Sequence, residues 1–241
     1  MSSIATWHEV ECGGYAADLD SWEELAGAAE GPILELGSGS GRVALHLARL
    51  GHEVWAVDRE PALLEVLEAR AEGEGLAVHA RLADIRALDL ERRFALVAAP
   101  MQVIQMLDGP QSRAAALEGA ARHLAPGGRL AAAIIERPGS AVEGIGAAAI
   151  PDVREVDGWI YSSHAISVTD DGAGLDIHRH RQAVSPDGDL SEEEFSERLD
   201  DLDAERLEHE CAAAGLRPAA RLEVPPTEGY LGSTLVVLEA A

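Results

Sequence analysis

The sequence has no lysine among its 241 residues, so all 19 of its basic side chains are arginines, set against 43 acids. The formal net charge of −24 removes the clustered cations that a phosphate-binding surface needs, so no nucleic-acid partner is expected. The same excess keeps a surface well solvated and favours the approach of a cationic substrate. With abundant alanine, glycine and leucine, the missing lysine reads as coding bias rather than chemistry. Cysteine is also scarce. Cys12 and Cys211 lie near opposite ends of the chain, which argues against a disulfide framework and offers no metal-ligand spacing. Long apolar runs are missing, since no stretch approaches the roughly 20 residues of a membrane span. Met1 to Glu9 has no basic-then-apolar pattern of a signal peptide. A cytoplasmic chain is expected, monomer or homodimer, with a small-molecule substrate and no membrane partner. Its 47% hydrophobic content suffices for one sizeable core.

What the chain does have is organised around Ile33 to Ala48. Ile33, Leu34 and Leu36 form a short apolar strand, Gly37, Gly39 and Gly41 strip side chains from the next turn, and Val43, Ala44, Leu47 and Ala48 recur at helical spacing. Alternate glycines let a ligand approach the backbone, and the following helix aims its free N–H groups at the same spot. A second strand over 53–57 ends at Asp58, a carboxylate suited to a ribose diol. The order continues as a helix from Pro61 to about Glu72, a strand over 76–82, a strand over 94–99, a helix over 111–124 and a strand over 129–136. This β-α-β alternation implies a doubly wound, mostly parallel seven-stranded sheet with helices on both faces.

Four segments are expected. Residues 1–30 form an N-terminal helical cap, with a helix over 18–29 that Asp18 or Asp20 can N-cap. Residues 31–136 form the nucleotide-binding core. Residues 137–202 form a small antiparallel β insertion, with one short helix in 141–149, strands over 159–168 and 175–184, and a third strand over 190–199. Residues 203–241 close the core with a helix and two strands over 222–224 and 232–238, the last antiparallel.

The string Glu35-x-Gly37-x-Gly39-x-Gly41 departs from the dinucleotide fingerprint, because Arg42 occupies the place of its third glycine. It resembles motif I of the class I S-adenosylmethionine-dependent methyltransferases. Ala83-Asp84-Ile85 and Leu124-Ala125-Pro126-Gly127-Gly128-Arg129-Leu130 are further landmarks of that family. The resemblance covers roughly 31–136 well and 203–239 loosely. It implies that Glu35, Gly37, Ser38, Gly39 and Gly41 surround the methionine end of S-adenosylmethionine. It also implies that Asp58, with Arg59 beside it, holds the ribose, that Asp84 and Ile85 meet the adenine, and that Met101 and Gln102 flank the cofactor. S-adenosylhomocysteine would be the product. Read alone, Asp84 is equally a helix N-cap. Sugar N,N-dimethyltransferases of this superfamily tend to carry a histidine where this chain has Met106. Gln102 and Gln105 can orient a substrate or satisfy loop backbone, but neither accepts a proton.

Methyl transfer from a sulfonium needs alignment above all, and a base only where the acceptor must lose a proton. Tyr15, on a glycine-flanked loop, either closes over the site or merely packs. His178 and His180 share one strand face, with Arg179 and Arg181 on the other, and His164 lies on the facing strand. These histidines are candidates for base or substrate contact, with sheet-surface residues as the alternative; no metal site is expected. Tyr161, Glu136 and Trp159 are further lining candidates. The expected activity is methyl transfer to N or O of a small molecule or a free peptide end. The alternatives are a nicotinamide-dependent oxidoreductase, disfavoured by Arg42 and the antiparallel ending, and a non-catalytic protein that binds S-adenosylmethionine.

Overall fold

A computed structural model describes residues 3–136, 151–227 and 230–240. Helices α1 (Ser3–Glu11) and α2 (Leu19–Gly27) precede β1 (Ile33–Leu36), α3 (Arg42–Arg49), β2 (Val54–Asp58), α4 (Pro61–Glu74) and β3 (Val78–Leu82). A single 3-10 turn, Ile85–Ala87, leads to β4 (Phe94–Ala99), α5 (Pro110–Arg122) and β5 (Leu124–Ile134). Next come β6 (Asp152–Val156), β7 (Trp159–Asp170), β8 (Gly174–Val184) and β9 (Leu190–Asp200). The chain closes with α6 (Ala204–Ala213), β10 (Leu216–Val224) and β11 (Ser233–Ala240).

The main sheet has the order β10-β11-β5-β4-β1-β2-β3. Only β11 runs antiparallel to its neighbours β5 and β10. This is the expected doubly wound α/β architecture. All four residues of β1 are buried, because helices cover both faces of its sheet and no polar alternation is required. One face packs Leu34, Leu36 and Val97 against α5 and α6 through Leu117, Ala120, Leu207 and Cys211. The other packs Ile33, Val54, Ala56 and Leu96 against α2, α3 and α4 through Trp22, Val43, Leu47 and Leu67. Each large apolar side chain so enclosed contributes about 1.5–3 kcal/mol. Strand order reverses between β1 and β4, so a cleft opens outside their carboxyl ends, where such sheets bind ligands.

β6 to β9 form a separate antiparallel sheet in sequence order. Its third expected strand exists although it holds Glu192, Glu193 and Glu194. As an edge strand it leaves one side to water, and β8 supplies partners, with Gln182 Nε2 donating to Glu192 at 2.6 Å and Arg181 3.4 Å from Glu193. Two elements were not foreseen, α1 and β6, and the helix expected in 141–149 lies outside the described residues. β10 starts six residues before the expected 222. Its edge position and a register shift between Pro218 and Ala220 accommodate a proline that lacks an N–H. Asp18 does not cap α2 with its side chain. It is buried, accepting from Arg42 at 2.5 and 2.8 Å and from the Trp22 indole at 2.8 Å, a stronger use of a buried carboxylate than one backbone N–H. Arg42, where a third glycine would have stood, thereby docks α2 onto α3. Among the described residues no helix is long and apolar enough to cross a membrane.

Candidate active site

The turn between β1 and α3 is bare backbone held in the left-handed region, with φ of 64° at Gly37 and 55° at Gly39. Side chains are excluded there for a second reason. A Cβ at Gly37 would collide with Val103, and one at Gly39 would collide with the ring of His8. Gly41, also at positive φ, hands the chain to α3. The β1–α3 turn, the tip of β2 and the loop after β4 bound one cleft of about 1190 Å³, larger than the 300–1000 Å³ usual for a single small ligand.

Two buried atoms in this cleft have no hydrogen-bond partner, Glu35 Oε2 and Ser38 Oγ. Burial pushes the Glu35 carboxyl up to about 8, against the pull of Arg42 and of the Ala44 backbone. Asp58 orders the loop from the tip of β2, its Oδ2 accepting from Gly39 N at 2.8 Å and its Oδ1 from Glu60 N at 2.9 Å. Each oxygen keeps a lone pair for a further donor. Arg59, Asp84, Ile85, Met101 and Gln102 line the same cleft. Asp84 caps the 3-10 turn through Arg86 N at 2.9 Å and pairs with the Arg86 guanidinium, which holds its carboxyl down to about 2. Met101 and Gln102 take positive φ, 48° and 58°, so the loop after β4 bends over the cleft in a conformation such residues rarely adopt. A bare loop, two orphaned polar atoms and an acid-tipped neighbouring strand fit a cofactor with a cationic, hydrogen-bonding end and a sugar diol, as S-adenosylmethionine has.

α1 covers the loop. Ser40 Oγ donates its single proton to Glu9, so at 3.1 Å it accepts from His8 Nδ1. That order of bonds leaves His8 Nε2 with a lone pair, and burial lowers the imidazole pKa, keeping it neutral. Glu9 also accepts from Arg70 of α4 at 2.7 Å and Arg154 of β6 at 2.5 Å. Burial works against ionisation here, but the bonds from Arg70 and Ser40 hold the carboxyl down to about 2. Two residues on, Glu11 takes Arg181 at 2.7 Å, Arg179 at 3.3 Å and Ser163 Oγ at 2.7 Å. α1 is thus bolted to the core by one carboxylate and to the second sheet by both. Tyr15 packs its ring 4.7 Å from that of Tyr230, under the Arg42 guanidinium, and lines the cleft. His8, Glu9 and Glu11 escaped the sequence reading. Their available signal was the helical spacing of Ile4, Trp7, His8 and Glu11.

The second sheet turns its other face inward from the one expected. Arg179 and Arg181 point to α1, so His178 and His180, on the alternate positions of β8, point away. His164 is in register with His180, ring centroids 5.5 Å apart, and only His164 reaches the cleft's edge. His178 bonds Ser196 at 2.8 Å on that outer face, and His180 lies 3.3 Å from Glu192. The face is chosen by the Glu11 pairings and by Trp7 packing edge-on against Tyr161 at 5.3 Å. Tyr161 and Trp159 stack with each other outside the cleft. Glu136 accepts from Ala204 N at the start of α6. Gln105 is structural, donating to the carbonyls of Ile135 and Asp200 and accepting from Ile135 N. Gln102, by contrast, lines the cleft.

Residues 33–128 match the model of the family described as "Methyltransferase domain". An uncharacterized methyltransferase, YodH of Bacillus subtilis, is 36% identical over 76 residues, 32% of this chain and 33% of that one. The alignment therefore spans about a third of that relative's length. Among solved structures, the sugar N-methyltransferase KedS8 from Streptoalloteichus aligns over 98% of this chain and 93% of its own, with TM-score 0.76 and 22% identity. The S-adenosylmethionine-bound amino pentose methyltransferase CalS10 from Micromonospora echinaspora aligns over 100% and 98%, with TM-score 0.75 and 21% identity. The chain thus shares this fold along nearly its whole length, and its residues 33–128, from β1 to the turn inside β5, match the methyltransferase-domain family.

Proposed function

We propose that the chain is an S-adenosylmethionine-dependent methyltransferase that acts on a nitrogen or oxygen of a small molecule. The observation that carries the proposal is the pair of unpartnered buried atoms, Glu35 Oε2 and Ser38 Oγ, beside the side-chain-free turn that Asp58 orders. A buried polar atom left unpaired costs about 1–3 kcal/mol, so the site is built for a ligand that pairs with it.

When bound, S-adenosylmethionine supplies a methyl group on a sulfonium, whose departure leaves a neutral thioether. The residues of this chain bind and align. Asp58 offers its remaining lone pairs to the sugar hydroxyls, Glu35 and Ser38 receive the polar methionine end, and Asp84 with Ile85 meets the base. α1, through His8 and Trp7, and Tyr15 on the loop after it exclude water from the glycine turn, and the inward face of β7–β9 forms the acceptor wall. Holding two reactants in line can itself supply about 7–11 kcal/mol of the barrier. KedS8 and CalS10 are described as acting on a sugar nitrogen and an amino pentose, so amino sugars head the acceptors to try.

The test is mass-spectrometric detection of methyl transfer from S-adenosylmethionine to amino sugars, sugar hydroxyls and free peptide ends. A product 14 mass units heavier, formed only with protein present, supports the reading. Binding of S-adenosylhomocysteine without transfer to any of them favours a non-catalytic role. No binding rejects the proposal.

A further inference from the structure

The acceptor wall carries carboxylates and guanidiniums in mutual pairs and one carboxylate that stands alone. Arg179 pairs with Asp152 at 2.6 Å and Glu11 at 3.3 Å, and Arg181 with Glu11 at 2.7 Å. Glu197 of β9 lines the same cleft, yet among the described residues it makes no hydrogen bond and no ion pair. Its strand neighbour in register is Ile177, which packs with Val168, Leu231 and Ile135. Ile135 follows the carboxyl end of β5, so this carboxylate hangs over the edge of the core sheet where ligands bind. A partly buried acid among aliphatic side chains, unpaired beside guanidiniums that are already committed, is an arrangement that stability does not explain.

We infer that Glu197 is the general base of the reaction, taking the proton from an acceptor that enters as an ammonium ion on a scaffold with an apolar flank. This rests on the methyltransferase reading above and narrows it to amines. The N–H bond of the ammonium breaks toward the Glu197 carboxylate, which becomes a carboxylic acid. The freed nitrogen lone pair then forms the bond to the methyl carbon, and the carbon–sulfur pair stays on sulfur. Glu197 afterwards returns its proton to solvent. Burial, and Glu11 nearby, raise this carboxyl above its ordinary range, closer to the pH at which proton transfer from an amine is efficient. The titratable and charged groups that act on it are Arg179 and Arg181 from β8, and Glu11 and Cys12 from α1 and its end. Along β8, His178 and His180 alternate with Ile177, Arg179 and Arg181 and so belong to the opposite face, while His164 of β7 reaches the cleft's edge.

The experiment measures kcat and kcat/KM from pH 6 to 10 with a free amino pentose as acceptor, for the wild type, Glu197→Gln and Glu197→Asp. S-adenosylhomocysteine affinity is measured alongside. Glu197→Gln should lower kcat about 10²–10⁴-fold near neutrality and recover toward wild type near pH 10, where the amine deprotonates unaided. Its S-adenosylhomocysteine affinity should stay within twofold, and Glu197→Asp should keep part of the neutral-pH rate. A profile that overlays wild type, or a loss that is constant across pH, overturns the assignment while leaving the methyltransferase reading intact. A wild type that binds S-adenosylhomocysteine but methylates only the hydroxyl analogue overturns the assignment together with the restriction to amines. No S-adenosylhomocysteine binding overturns both.

Discussion

Glu35 sits at 3% exposure with Oε2 unpaired, so in the cofactor-free chain its proton is part of the fold. Its carboxyl titrates near 8 when folded, against an ordinary 4.5. The folded chain therefore retains a proton that the unfolded chain releases, and this contribution is complete below pH 4.5 and lost as pH rises through 8. Glu35→Gln keeps the shape and removes the titration. Relative to that variant, the wild type should lose on the order of a few kcal/mol of unfolding free energy between pH 4.5 and 8, measured by chemical denaturation without cofactor. Parallel pH dependences would show that the carboxyl is already ionised. At this scale the sequence was informative where the chemistry is contiguous. Glu35, Gly37, Gly39 and Asp58 lie within 24 positions of one another in a strand–turn–helix–strand whose geometry is set by local rules. It was uninformative about Glu197, which faces inward only because residues of α1, more than 180 positions away, pair with the other members of its sheet face.

Among the elements, α1 decides how the cleft is closed. Glu9 is at 3% exposure and joins α1 to α4 by Arg70 and to β6 by Arg154. Both arginines are themselves about a third exposed, which reduces the 3–5 kcal/mol usual for breaking a buried pair. Glu9→Gln is expected to lower stability by about 2–3 kcal/mol at pH 7. Because the folded carboxyl titrates near 2 rather than 4.5, its contribution is present above pH 4.5 and lost as pH falls through 2. The gap between variant and wild type in denaturant titrations should therefore narrow below pH 4.5, and a gap that stays constant would place the stabilisation elsewhere. The helices with a cap or a proline start were legible, as with Pro61 at the start of α4 and Asp203, which accepts from Arg206 N at 2.8 Å before α6. α1 was missed although its helical spacing was present, and β6 was missed although Asp157-Gly158, both at positive φ, form the two-residue turn that pairs it with β7. Which face of β8 turns inward, by contrast, was not legible. Alternation separates two faces, but only tertiary contact decides which of them is covered.

Across the whole molecule, the doubly wound sheet follows from the order of apolar segments, and the reversal between β1 and β4 puts the glycine turn, the tip of β2 and the loop after β4 around one opening. The second sheet and α1 roof that opening and leave room for two reactants. The account stands on the identity of the first of them. Isothermal titration of the wild type and of Asp58→Ala with S-adenosylhomocysteine tests it most directly. The wild type should bind one equivalent, and Asp58→Ala should weaken binding at least about tenfold through loss of charge-assisted bonds and of loop order. A wild type that gives no binding heat, or an Asp58→Ala variant that binds equally well, would contradict it.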